Sequence, residues 1–121
     1  MRLLFLLGFF LPQFAYSAEL PDGFHESAKA VVIDNFFEIM KKYPVTYKVM
    51  NTAVTEKNFE SGQEGVVVDI NFEDSRSCMK RTFSGHCTPL ESDGVIYVFC
   101  FLTLTDCLRD KIVSFETKRP L

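Results

Sequence analysis

Four cysteines, Cys78, Cys87, Cys100 and Cys107, fall within thirty residues and are the only ones in the chain. They could hold a metal, form a redox centre or staple the chain. A metal site would draw on His86-Cys87 together with Cys78. The spacings are wide and irregular, whereas zinc sites show tightly spaced ligand pairs. A redox centre would need a Cys-x-x-Cys pair, and none occurs. The histidines, His25 and His86, offer little to catalysis. Ser84, His86 and Asp93 could be assembled into a triad only by invention, since two loop neighbours and a distant acid are not a motif. There is no Gly-x-Ser-x-Gly, His-Glu-x-x-His or phosphate-loop sequence. The reading is a non-enzymatic protein with no cofactor and no metal, whose cysteines are disulfides.

The compartment supports that reading. The chain opens MRLLFLLGFFLPQFAYSAELPDG. Arg2 precedes an apolar run from Leu3 to Leu11, and small residues follow at Ala15, Ser17 and Ala18. This is the layout of a secretory signal peptide over 1–17, cut near Ser17/Ala18. The run is too short for a comfortable membrane span, and Pro12 and Gln13 interrupt it. Residues 18–121 are then expected as a single secreted, extracellular domain with two disulfides, in an oxidising environment where thiols pair. Four cysteines allow three pairings, and sequence alone does not choose. The sequential pairing, Cys78 with Cys87 and Cys100 with Cys107, closes the shortest loops.

With 13 basic and 16 acidic residues the net charge is −3. Loss of Arg2 leaves the mature chain more acidic by a single charge. That balance argues against nucleic acid as a partner, which calls for a basic face. No later segment is apolar and long enough to be transmembrane, and no N-x-Ser/Thr sequon is present.

Elements must position these residues. In SAKAVVIDNFFEIMKKY, Ala28, Val32, Phe36, Ile39 and Tyr43 recur at helical spacing, and Ile33, Phe37 and Met40 broaden the apolar side. A helix over about 24–42 is expected, with Lys41 and Lys42 in its last turn and Pro44 as its stop. Val45, Tyr47 and Val49 begin a strand. ESGQEG at 60–65 is a turn, and Val66, Val68, Ile70 and Phe72 alternate with polar residues in a half-exposed strand. On its polar side Asp69 and Glu73 read as solvated surface. Val95–Leu104 is a strand apolar on nearly both faces, and 111–117 a short last one. Residues 78–87 read as a loop. One helix over a meandering antiparallel sheet of four to five strands follows, an α+β fold.

The layout resembles the cystatin superfamily, which includes secreted cystatins and the pro-domains of cathelicidins. GVVVDINFEDSRSC (65–78) is similar to the strand entering that family's first cysteine, and VIYVFC (95–100) to the strand entering its third. The resemblance spans about Gly23 to Cys107. It implies a cystatin-like fold, with cysteines paired in sequence. It also implies a route to inhibiting papain-like cysteine proteases. Gly23 would match the family's N-terminal glycine, and Gln63, Glu64 and Gly65 its first inhibitory hairpin. Here that hairpin reads Gln63-Glu64-Gly65-Val66-Val67 in place of Gln-x-Val-x-Gly. The Pro-Trp element of a second hairpin cannot exist, because Trp is absent. A cathelicidin would carry a cationic peptide after the fourth cysteine. The tail here sets Arg109, Lys111, Lys118 and Arg119 against Asp110 and Glu116, too weakly basic for a membrane-active peptide.

The expected function is therefore a secreted binding protein on a cystatin-like scaffold, acting on an extracellular protein partner in host defence or regulation. Its candidate contact surface is the 78–87 loop, with Phe83 between the cations Lys80 and Arg81 and the partner unidentified. Two alternatives stand beside it, a protease inhibitor using Gly23, Gln63, Glu64 and Gly65, and a carrier of small apolar ligands between the Phe-rich helix and the central strand.

Overall fold

A computed structural model of the chain describes residues 19–42, 45–75, 80–108 and 110–121. The expected leader at 1–17, Tyr43 and Pro44 at the helix exit, and Cys78 lie outside the described residues. The order of elements is α1 (Phe24–Met40), β1 (Tyr47–Asn58), β2 (Glu64–Asp74), β3 (Lys80–Ser92), β4 (Val95–Asp106) and β5 (Lys111–Pro120). The five strands form one antiparallel sheet in the order β1-β2-β3-β4-β5, so sheet order is chain order. The α+β expectation holds, with the sheet at five strands.

Helix α1 buries Phe24, Ala28, Val31, Val32, Phe36 and Met40; Ala28, Val32, Phe36 and Met40 are from the expected stripe, whereas Phe37 is exposed. The helix ends at Met40, so Lys41 and Lys42 follow the last turn rather than occupy it; their amides bond back to Phe37 O and Ile39 O. The stripe lies across the middle of the sheet. There Val66, Val68, Ile70 and Phe72 of β2, Phe83 and Cys87 of β3, and Val98, Cys100, Leu102 and Leu104 of β4 close one core. Phe36 sits at its centre, with ring centroids 5.0 Å from Phe72 and 5.7 Å from Phe83. Each side chain fully removed from water here contributes about 1.5–3 kcal/mol. Gly85 lets the helix come this close. A Cβ there would overlap Val32 Cγ2 and come within 2.9 Å of Leu102 Cδ2.

The stretch expected as a loop is a strand. β3 pairs with β2 from Lys80 to Cys87 and with β4 from Arg81 to Ser92. Its helix-side row is Arg81, Phe83, Gly85, Cys87 and Pro89. Only one residue of that row is a large hydrophobe, because the helix needs the space at Gly85, Arg81 serves in an ion pair and Cys87 in a disulfide. Pro89 is tolerated because β3 has passed the end of its pairing with β2 at that point, so no β2 partner asks for its missing N–H.

The cysteine pairing also differs from the sequential one. Cys87 is bonded to Cys100. They stand directly opposite each other on β3 and β4, with Cα atoms 4.1 Å apart, inside the core. Cys107 is disulfide-bonded as well. The sequential scheme fails because it assumed a loop at 78–87; once that stretch is a strand, Cys87 faces Cys100 across the ladder.

Candidate functional site

The meander sends the β1–β2 and β3–β4 connections to the same end of the sheet. The N-terminus of α1 joins them there, because His25 Nε2 lies 2.8 Å from Glu56 Oε2 near the end of β1. Three connecting segments therefore share one end: 19–23, leading into the helix; the turn 59–63; and the turn at Asp93-Gly94.

Each segment is held by its own local chemistry. Gly23 begins the helix at φ 79°, a left-handed conformation that glycine takes without strain, and its carbonyl accepts from Ser27 N. Gly62 at φ 86° lets Phe59 and Gln63 close the first turn, with Gly62 N donating to Phe59 O and Phe59 N to Gln63 O. Asp93 and Gly94, at φ 53° and 78°, form a two-residue hairpin of the type that matches strand twist. The two hairpins are then braced to each other. Gln63 Nε2 donates to Pro89 O at 2.9 Å, and the Phe59 ring stacks on His86 with centroids 5.8 Å apart. Gly65 is buried between these braces. A Cβ there would overlap the Phe59 ring and stand 2.5 Å from Cys87 O.

A groove of about 400 Å³ runs beside the helix start, lined by Glu19, Leu20, Pro21, Asp22, Gly23, His25, Glu56 and Glu64. Glu60, Glu91 and Asp93 add carboxylates on the hairpins, and Lys57, Lys118 and Arg119 bring cations to the same end. Glu64 Oε1 is out of water and has no hydrogen-bond partner. Among the carboxylates the second hairpin exposes Leu90, Val95 and Ile96, and Leu121 lies beside them with its amide bonded to Ile96 O.

The residues expected for protease contact thus divide. Gly23 and Glu64 line one groove. Gln63 is committed to Pro89, and Gly65 faces inward as a packing position. The basic-aromatic surface expected at 78–87 is overturned. Phe83 is fully buried beneath the helix. Arg81 points to the same face and holds Asp74, Nε to Oδ2 2.9 Å, with both side chains almost completely out of water. Lys80 alone is exposed, opposite Glu73 at the far end of the sheet from the hairpins. A strand's alternation separates what a loop could have displayed together.

His86 and Cys87 point to opposite faces for the same reason, and among the described residues no group of three or more candidate ligands could hold a metal ion. The outer face of the sheet is a hydrogen-bonded polar ladder. Thr82 Oγ1 donates to Asn71 Oδ1, Asn71 Nδ2 to Asn51 Oδ1, and Ser84 Oγ to Asp69 Oδ1. A depression of about 720 Å³ lies over its lower part, bordered by Met50, Glu73, Lys80, Thr82 and Asp106. Asp69, half-buried, accepts from Ser84 in this ladder rather than standing solvated.

No family model matches the chain, and neither does any curated protein or solved structure. Among the described residues no helix is long and apolar enough to cross a membrane.

Proposed function

We propose that the protein is a secreted, non-enzymatic binding protein on a cystatin-like scaffold, which meets an extracellular partner with its hairpin end. The observation that carries this reading is the convergence of 19–23, 59–63 and 93–94 at one end of a stapled, cross-braced sheet. Connecting segments on a rigid frame are where binding residues concentrate. The chemistry of the end defines the partner: carboxylates around exposed Leu90, Val95 and Ile96 suit a basic surface with an apolar centre. Immobilised protein is exposed to fractionated extracellular fluid beside a Glu60→Lys/Glu91→Lys variant. A ligand retained by the parent and lost by the variant, more so at higher salt, is the expected result. Identical retention by both chains would rule out the hairpin end.

Inhibition of a papain-like cysteine protease is the second reading, favoured by Gly23 and two hairpins lying at the same end. Against it stand the acidic Glu60 and Glu64, where an apolar wedge would be needed. Titration of such a protease settles the matter, and no inhibition at micromolar protein removes this reading while leaving the first intact. A carrier of small apolar ligands is disfavoured. The layer between helix and sheet is filled by Phe36, Phe72, Phe83 and the Val32–Gly85 contact.

A further inference from the structure

The two edges of the sheet are built differently. Edge strand β5 carries Lys111, Glu116, Lys118, Arg119 and Pro120, the residue types that discourage strand addition. Edge strand β1 runs twelve residues, all exposed, and from Val49 to Thr55 it has no charge and no proline. A long open edge of this kind is a template for another strand.

What covers it can be read from the face above it. Register with buried Phe72, Ile70 and Val68 places Val49, Thr52 and Val54 on the helix side of β1. On the helix, His25, Lys29, Ile33 and Phe37 form a row at four-residue spacing, and His25 touches β1 at Glu56. Ile33 and Phe37 therefore flank the same edge, and Phe37 is 46% exposed. Above the open strand is a trough in which Val49, Val54, Ile33 and Phe37 are the apolar side chains and Lys29 and Thr52 the polar ones. A lone added strand would satisfy the edge and leave the trough wet. A second copy of this chain brings its own helix and trough.

We propose that the protein forms a two-fold dimer by antiparallel pairing of β1 with β1, giving a continuous ten-stranded sheet. The register that fits sets Thr52 opposite Thr52 of the second copy. Asn51 then meets Ala53. The bulge between Val49 and Asn51 takes Met50 out of the count, so Val49 meets Val54 on the trough side. Lys48 falls opposite Thr55, and Tyr47 opposite Glu56. Shifting the axis to Ala53 sets Lys48 against Lys57 and Val49 against Glu56, which like-charge repulsion and lost apolar contact disfavour. The pairing leaves the hairpin ends pointing in opposite directions, so it does not depend on what they bind.

Light scattering coupled to size exclusion tests the proposal on the full chain with its disulfides formed. The unsubstituted chain is expected to run at twice its monomer mass through the micromolar range. Thr52→Lys and Thr52→Glu, at an exposed position, are each expected to halve that mass with an unchanged far-ultraviolet circular dichroism spectrum. An equimolar mixture of the two should recover the dimer, because the opposed charges then attract at the axis. A monomeric parent, variants that stay dimeric, or a mixture that stays monomeric would each overturn the proposal.

Discussion

Arg81 and Asp74 meet at 2.9 Å on the helix side of the sheet, 8% and 1% exposed, at the end remote from the hairpins. A charge pair so placed is costly to leave half-made. Removing either partner takes the ion pair from the other in a site without water, at about 3–5 kcal/mol. Arg81→Met or Asp74→Leu should each lower the unfolding free energy from urea titration by that measure. The double substitution should recover most of the loss, since packing then replaces a desolvated pair. Additive losses in that cycle would show that the two residues do not act as a pair.

Reducing the Cys87–Cys100 bond removes a closure thirteen residues long. The Cys87→Ala/Cys100→Ala protein should lose about 3 kcal/mol. Non-reducing peptide mapping should find 87 joined to 100, with the remaining two cysteines of the sequence leaving as a second linked pair. Recovery of a peptide joining Cys78 to Cys87 would contradict the register of β3 with β4.

Gly85→Ala should destabilise by about 1–3 kcal/mol, the range for overpacking a closed core. Val32 and Leu102 are side chains and can move, so a compensating Val32→Ala should restore part of the loss. Gly65→Ala should cost more. One of its obstacles is the Cys87 carbonyl, which cannot move without breaking sheet pairing. Equal thermal midpoints for the two glycine variants would argue against this distinction.

Gln63→Ala should remove the brace to Pro89 at about 0.5–1.5 kcal/mol. Its signature is local: faster amide exchange at 59–63 and 90–95, with β2 and β4 core amides unchanged. Uniform acceleration across the sheet would mean the hydrogen bond acts only on global stability.

The helix and strands β2 and β4 were legible because their burial is carried by large hydrophobes at regular spacing, from Ala28 to Phe36 and from Val66 to Phe72. β3 was illegible because its helix-side row uses Arg81, Gly85, Cys87 and Pro89, each answering a tertiary demand that periodicity cannot express. The disulfide was lost with it, since cross-strand opposition exists only once both strands do. The turn could be read from Gly62, but it spans 59–63, and Gly65, expected within it, is a buried position of β2. That Gln63 reaches a carbonyl 26 residues away could not. Nor could the ion pair that takes Arg81 out of the surface.

Because sheet order repeats chain order, each strand emerging during synthesis finds its neighbour already made. No strand has to wait for a distant segment, and the loops to be closed are short, which keeps the entropic barrier to pairing low. The helix is the exception. It is made first, yet its apolar stripe stays uncovered until β4 has been extruded. The interval between those two events, rather than strand pairing, is when the growing chain is most open to aggregation.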